Sequence, residues 1–152
     1  MLRFLLPLSL VLSSALALNR TSFLHSDNYH VSTVTATFPQ GLFDCKRLGW
    51  VLAIEEDAEE TSALNTVLTE TGHQADNIWL GGVYQEISGF YSQWIWIENG
   101  KIIEYTNWQS GEPSQSSTYP CIRKDALTSS YPGQWYANNC ESNSYYFICQ
   151  GD

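Results

Sequence analysis

The sequence predicts an α+β domain. Two amphipathic helical patterns come first, between residues 37 and 72, and a strand-rich half follows to residue 150. Four cysteines follow an apolar N-terminus, and an even count in that context indicates two disulfides. At 152 residues, the length favours one domain. We therefore expect two helices packed on antiparallel sheets, with a long loop and two disulfides.

The first 17 residues have the features of a secretory signal peptide. Arg3 supplies a basic start, residues 4–12 are mostly apolar, and residues 15–17 read Ala-Leu-Ala, a small-x-small cleavage site. The apolar run is too short to span a membrane, and no later run has membrane length. We expect a secreted, soluble mature chain from about Leu18.

A polar stretch over 18–28 is expected to form a loose arm ahead of a domain over 29–150. Asn19-Arg-Thr21 is an N-glycosylation acceptor in this arm, where a sugar would not disturb a core. Removal of the signal peptide removes Arg3, so the formal charge goes from −9 to −10. An acidic chain of this kind argues against nucleic acid or an anionic membrane as a partner.

The first helix is predicted to begin near Pro39, a residue suited to the first helical turn. Apolar residues recur at helical spacing from Phe38 to Leu48, and Gly49 suits the position just after a helix. Gly41 costs roughly 1 kcal/mol relative to Ala inside a helix, which indicates close packing there. Residues 50–54 are predicted to form a buried strand.

The second helix is predicted to begin at Asp57, whose carboxylate suits the N-cap, and to end at Gly72. The acidic cluster over 55–60 complements the positive end of the helix dipole, and we favour this interpretation over a metal site. The apolar face comprises Ala63, Leu64, Val67 and Leu68.

Strand patterns follow Gly72, with a hairpin signal at Asn99-Gly100 and a long loop over 107–119, which is rich in Ser and contains Gly and Pro. The predicted strands are 78–80, 94–97, 101–106, 121–123, 134–136 and 145–150.

Four cysteines allow three disulfide pairings, and the sequence pattern does not choose among them. A zinc site is disfavoured because the chain has no Cys-x-x-Cys pair and its histidines lie far from the cysteines. The cysteines are Cys45, Cys121, Cys140 and Cys149.

The landmarks from residue 29 to residue 150 together resemble the C-type lectin-like domain. The single-domain form with a signal peptide and the Tyr105-Thr-Asn-Trp108 stretch is similar to secreted insect lectins. The motifs that carry the resemblance are Phe38-x-x-Gly-x-x-x-Cys45, Gly49-x-x-Leu-Ala53, Trp79-Leu-Gly81, Trp96 with Gly100, Asn107-Trp-x-x-Gly-Glu-Pro113, Trp135-x-x-x-x-Cys140 and Phe147-Ile-Cys149.

The resemblance implies a disulfide pairing. The family joins its first and last cysteines, here Cys45 and Cys149, and its two middle ones, here Cys121 and Cys140. In the chain-entropy model, loops of these lengths stabilise the fold by roughly 4–5 and 3 kcal/mol. The second disulfide is expected to anchor the base of the long loop.

Sugar-binding members of this family hold a calcium ion in the long loop through a Glu-Pro-Asn triplet, a carboxylate before the third-last cysteine and an Asn-Asp pair. Glu112 and Pro113 match the triplet, and the family proline is cis. Ser114 stands in place of Asn, and Tyr119 lies near the lost carboxylate. Calcium takes six to eight oxygens, so we expect its coordination to be degraded.

The Asn-Asp pair is replaced by Tyr136 and Ala137. Asn138 and Asn139 follow immediately, and a shifted loop would present their amide oxygens as replacement ligands, with Asp125 or Glu141 approaching. Glu112 is the single residue that matches a family calcium ligand, so a calcium cofactor is possible but not favoured.

Aromatic residues offer a route to recognition without an ion. Tyr119, Tyr131 and Tyr136 are the candidates for a binding surface, while Trp108 and Trp135 are expected in the core, as in the family. A loop of Ser, Tyr, Gly and Asn also has the composition of antibody contact loops.

The function that the resemblance implies is innate-immune-type recognition of a glycan or glycoprotein on a cell or microbial surface, through the long-loop face. The alternative is a calcium-independent protein-binding domain without sugar-binding activity. An enzyme is disfavoured, because the chain has no Gly-x-Ser-x-Gly, His-Glu-x-x-His or P-loop motif. His30 is expected at the surface because it alternates with Tyr29 and Val31.

Overall fold

The computed structural model describes residues 17–89, 91–113, 118 and 120–151. Its helices are α1 (Phe38–Arg47) and α2 (Ala58–Glu70), with a short 3-10 helix at Arg20–Ser22. Its strands are β1 (Phe23–Ser26), β2 (Tyr29–Ser32), β3 (Val51–Leu52), β4 (Ile78–Ile87), β5 (Tyr91–Trp96), β6 (Cys121–Lys124), β7 (Trp135–Asn138) and β8 (Tyr146–Gln150). The signal peptide prediction lies almost wholly outside the described residues.

Helix α1 begins and ends where local sequence rules predict. Pro39 lies in its first turn, and the Gln40 side chain accepts a hydrogen bond from Thr37 N at 3.1 Å. Gly49 follows the helix with a φ of 82°, a conformation that L side chains rarely adopt. A Cβ at Gly41 would lie 3.0 Å from Phe147 Cγ, which confirms the predicted close packing.

Helix α2 is capped by Asp57, whose carboxylate accepts a hydrogen bond from Glu60 N at 2.8 Å. The Glu60 carboxylate in turn accepts from Glu56 N at 2.6 Å, one residue before the cap. These contacts confirm the structural interpretation of the acidic cluster. The face of α2 that packs into the core is Leu64, Val67 and Leu68.

The sheet orders its strands β1-β2-β8-β4-β6-β7, with β3 paired to β8 and β5 paired to β4. The described pairs are antiparallel, apart from β4 and β8, which run parallel. Strand β7 therefore lies at an edge of the sheet, beside the long loop.

Two disulfides join distant parts of this fold. Cys45 of α1 bonds Cys149 of β8, and Cys121 of β6 bonds Cys140 just after β7. This is the pairing that the resemblance implied. The first bond ties the first helix to the last strand, and the second closes the base of the long loop.

The loose arm predicted over 18–28 is wrong for most of its length. Phe23 begins β1, is 4% exposed, and packs edge-on against Trp50 and Phe147 with ring centroids 5.3 and 5.8 Å away. Burial of this ring and pairing of β1 with β2 order the segment.

Three smaller predictions also differ from the structure. His30 is 6% exposed rather than at the surface, because β2 is covered on both faces. The predicted strand over 101–106 is reduced to one bridge at Ile102, because the chain turns away after pairing with β5. The predicted strand over 50–54 is shortened to β3. No helix in the described ranges has the length and apolar character needed to cross a membrane.

Candidate functional site

The long loop leaves the sheet along the outer edge of β7. Trp135 N donates to Asn107 O at 2.7 Å, and Gln109 N donates to Trp135 O at 3.0 Å. Because β7 is an edge strand, alternate backbone groups point away from β6 and need partners outside the sheet. Residues 107–109 supply those partners at Trp135, and the next outward-facing N–H belongs to Ala137.

Glu112 supplies the partner at Ala137. Its carboxylate accepts a hydrogen bond from Ala137 N at 3.1 Å, and its own N–H donates to Gln109 O at 3.0 Å. The Glu112–Pro113 peptide bond is cis, as the resemblance implied. The carboxylate that matches a family calcium ligand is thus a cap on the edge of β7.

The two residues that replace the family's Asn-Asp pair have opposite environments. Ala137 is 2% exposed, and its methyl group packs in the core with Ile122 and Trp135. Tyr136 points to the other face of the strand and is 37% exposed. Neither side chain offers an oxygen ligand of the kind that calcium prefers near Glu112.

Asn138 and Asn139 use their amide oxygens within their own turn. The Asn138 Oδ1 accepts from Asn139 N at 2.8 Å and from Asn143 Nδ2 at 2.9 Å. The Asn139 Oδ1 accepts from Glu141 N at 2.9 Å and Ser142 N at 2.8 Å. These bonds stabilise the turn that leads to Cys140, and a shifted loop would have to break them.

Asp125, the other residue considered as a replacement ligand, forms an ion pair. Its carboxylate lies 2.5 Å from the Arg123 guanidinium and also accepts from Ser129 Oγ at 3.2 Å. Within the described ranges, no group of three His, Cys, Asp or Glu side chains is placed to hold a metal ion. Ser114 and Tyr119 lie outside the described residues.

A set of connected contacts links two exposed tyrosines, Tyr131 and Tyr136. The Arg123 guanidinium lies over the Tyr136 ring, 4.6 Å from its centroid. Ser129 links Asp125 to Tyr131, because its hydroxyl accepts from Tyr131 N at 3.1 Å. Tyr131 is 43% exposed. We call Tyr131, Tyr136 and the Arg123–Asp125 pair between them the tyrosine face.

A buried ion pair under the loop was not predicted from the sequence. Lys124 Nζ lies 2.6 Å from Glu55 Oε1, and both side chains are fully buried. The other carboxylate oxygen of Glu55 accepts from Trp135 Nε1 at 2.7 Å and from Thr61 Oγ1 at 3.0 Å. These contacts link α2, β6 and β7 and position Trp135. The available signal was an acidic residue, Glu55, directly after one predicted strand and a lysine, Lys124, directly after another.

Comparison with known proteins agrees with this architecture, a disulfide-closed α+β domain with one long loop. The family model described as the lectin C-type domain matches residues 34–151. The chain belongs to the C-type lectin domain family.

Two known proteins are similar in sequence to this chain. It is 30% identical to perlucin of Haliotis laevigata over 123 residues, which cover 80% of this chain and 74% of perlucin. It is 30% identical to salivary C-type lectin 2 of Aedes albopictus over 90 residues, 57% of this chain and 58% of that lectin.

A calcium-independent type II antifreeze protein has a similar fold. The TM-score is 0.65 at 19% identity, with 87% of this chain and 92% of that chain covered. At this level of identity, the similarity supports the fold alone.

Proposed function

We propose that the chain is a secreted recognition module that binds a glycan or glycoprotein on a cell or microbial surface through the long-loop face. We propose further that it does so without a bound calcium ion, in an innate-immune-type role. Family membership supports the class of function, because the salivary relative is itself named a lectin.

The observation that carries the proposal is the hydrogen bond between Ala137 N and the Glu112 carboxylate. In calcium-dependent members the corresponding Glu is an ion ligand. Here the carboxylate caps the strand edge, and the oxygens of Asn138 and Asn139 are engaged in a turn. A calcium ion would have to replace these contacts while gaining few charged oxygens in return.

The tyrosine face supplies a surface for recognition without an ion. An aromatic ring stacks on the apolar side of a sugar or anchors a protein partner, and its hydroxyl group forms hydrogen bonds at the rim. Stacking of Arg123 on Tyr136 holds that ring in one orientation. A ring ordered before binding loses less conformational entropy on binding.

A glycan array with and without a calcium chelator tests the proposal. We expect glycan signals that chelator leaves unchanged and that Tyr136→Ala and Tyr131→Ala each reduce. Phe43→Ala is the matched control, because Phe43 is an aromatic residue on α1 with 65% exposure that lies outside the tyrosine face. Signals abolished by chelator, or unaffected by both tyrosine variants, would overturn the proposal.

Secretion is tested separately by expression of the full chain in insect cells. We expect the chain in the medium, beginning near Leu18 and carrying a glycan on Asn19, which is exposed in the structure. Mass spectrometry of the secreted protein reads both features, and retention of the chain with residues 1–17 intact would contradict them.

The second candidate is a protein-binding domain without sugar-binding activity, favoured by the antibody-like composition of the loop. The two candidates are separated by comparing how the chain binds a glycoprotein that it recognises before and after the glycans of that glycoprotein are removed enzymatically. Loss of binding supports glycan recognition, whereas unchanged binding supports the protein-binding alternative.

A further inference from the structure

Two histidine rings meet between the first two strands. His25 of β1 is the register partner of His30 of β2, and their Nδ1 atoms are 2.7 Å apart. The outer ring nitrogens contact backbone carbonyls: His25 Nε2 lies 3.1 Å from Arg20 O, and His30 Nε2 lies 2.8 Å from Gly151 O. Three contacts thus run from the N-terminal 3-10 helix through both rings to Gly151, the residue after β8.

The number of ring hydrogens follows from these contacts. A carbonyl oxygen can only accept, so each Nε2 must carry a hydrogen. A nitrogen–nitrogen contact of hydrogen-bond length needs one hydrogen between the atoms, because two lone pairs or two N–H groups would repel. Three hydrogens on two rings make one neutral imidazole and one imidazolium, so the pair carries a single positive charge.

The environments of the two rings place that charge on His25. His25 is exposed, whereas His30 is buried and stacks on Trp50 with ring centroids 3.8 Å apart. Burial lowers the pKa of His30, against a smaller opposing effect of its hydrogen bond to Gly151, and the positive charges of His25 and Arg20 act in the same direction as burial. His30 is therefore the neutral acceptor of the shared hydrogen.

A metal ion does not fit between the rings. Zinc binds imidazole nitrogen at about 2.0–2.1 Å, which separates two nitrogens of a tetrahedral shell by roughly 3.3 Å. The observed separation of 2.7 Å is too short for that arrangement and normal for a hydrogen bond.

We propose that His25 and His30 form a proton-sharing pair that docks strand β1 onto the domain within a limited pH range. At lower pH, a second proton gives two imidazolium rings whose Nδ1–H groups oppose each other. At higher pH, loss of the shared proton leaves two facing lone pairs. Either change removes the bond between the rings, so β1 and the Phe23 ring that it carries loosen from the core, while the Cys45–Cys149 disulfide holds the rest.

Nuclear magnetic resonance of the ring nitrogens in the wild-type chain tests the proton count directly. We expect a pH range in which both Nε2 atoms carry hydrogen and the Nδ1 atoms together carry one, with transitions on both sides. Independent titration of the two rings without such a plateau, or a bare Nε2 on either ring, would overturn the proposal.

Hydrogen exchange of the β1 and β2 amides tests the effect on docking. Protection factors in the wild type should pass through a maximum with pH and fall about tenfold on each side, the change expected from about 1.4 kcal/mol for one charge-assisted hydrogen bond. His25→Ala should abolish the maximum. Leu24→Ala, on the same strand and 40% exposed, should retain it. A flat wild-type profile, or an unchanged maximum in His25→Ala, would contradict the proposal.

Discussion

Glu112 caps the edge of β7 at Ala137: the Glu112 carboxylate accepts a hydrogen bond from Ala137 N, with 3.1 Å between the two atoms. The contact places a residue type associated with calcium in a structural role. The residues near it also have structural roles: Ala137 is buried in the core, and Asn138 and Asn139 stabilise a turn. Hydrogen bonds of Asn107, Gln109 and Glu112 thus attach the first part of the long loop to β7.

Replacement of Glu112 measures that role. Glu112→Ala leaves the Ala137 N–H without this acceptor, so the free energy of unfolding should fall by about 1–2 kcal/mol. Glu112→Gln retains an acceptor oxygen and should cost about 0.5 kcal/mol or less. Urea unfolding measures the stability of both variants, and hydrogen exchange of the Ala137 amide measures the loss of its acceptor. Unchanged exchange in Glu112→Ala would show that the cap is not formed.

The buried ion pair beneath the loop predicts a large difference between two lysine variants. Lys124→Met leaves the Glu55 carboxylate buried without its charged partner and should cost about 3–5 kcal/mol. Lys101→Met removes a comparable contact to Glu56, where the lysine side chain is 63% exposed, and should cost about 0–1 kcal/mol.

Urea unfolding of both lysine variants checks this difference. Adding Glu55→Gln to Lys124→Met should recover part of the loss, because the unpaired charge is then absent. Equal stability of the two single lysine variants would contradict the account of the pair.

The disulfides should contribute unequally because they close loops of different length. Their cysteines are 104 residues apart for Cys45–Cys149 and 19 residues apart for Cys121–Cys140. In the chain-entropy model, replacing both cysteines of a pair by Ala should cost about 4–5 kcal/mol for the first and about 3 kcal/mol for the second. Unfolding under non-reducing conditions compares the two double variants, and a larger loss for the shorter loop would contradict the model.

Alkaline pH should destabilise the fold through Tyr29. Burial raises the pKa of this tyrosine above its ordinary value of 10.0, and the charges of Glu60, Glu55 and Asp57 act in the same direction. Below pH 10 the hydroxyl group is protonated in both states, so its contribution to stability is fully present. As the pH rises above 10, the unfolded chain releases the proton first, so that contribution is progressively lost.

Tyr29→Phe isolates this effect. As the pH rises above 10, the unfolding free energy of the wild type should fall more steeply than that of the variant, which lacks the Tyr29 hydroxyl group. The difference between the ultraviolet titrations of wild type and Tyr29→Phe isolates the ionisation of Tyr29, which should occur at higher pH in the folded state than in the unfolded state. Parallel stability profiles of the two proteins across this range would show that Tyr29 ionises normally.

Local rules were sufficient for the helices and the scaffold. Pro39 and Gly49 mark the ends of α1, and Asp57 caps α2. Each of these signals acts on residues within one helical turn. The spacing of tryptophans and cysteines predicted the family, and the lectin domain match confirms it.

Features that depend on distant contacts were not visible in the sequence. Strand β1 forms because Phe23 packs on Trp50 and Phe147, which are far along the chain. His30 is buried by the Trp50 ring and by the C-terminal segment at Gly151. Glu55 and Lys124 are 69 residues apart, so nothing local distinguished a buried ion pair from two surface charges. In the candidate site, the sequence predicted degraded coordination at Glu112, but not its hydrogen bond to an edge strand.

Calcium titration by isothermal calorimetry, with amide chemical shifts recorded in parallel, tests the central claim most directly. We predict no saturable binding at calcium concentrations up to about 1 mM, the weak end of the range for extracellular calcium modules. The Glu112 and Ala137 amide shifts should stay unchanged throughout. Saturable binding well below that concentration, with shifts at these two residues and loss of the signal in Glu112→Ala, would contradict the account.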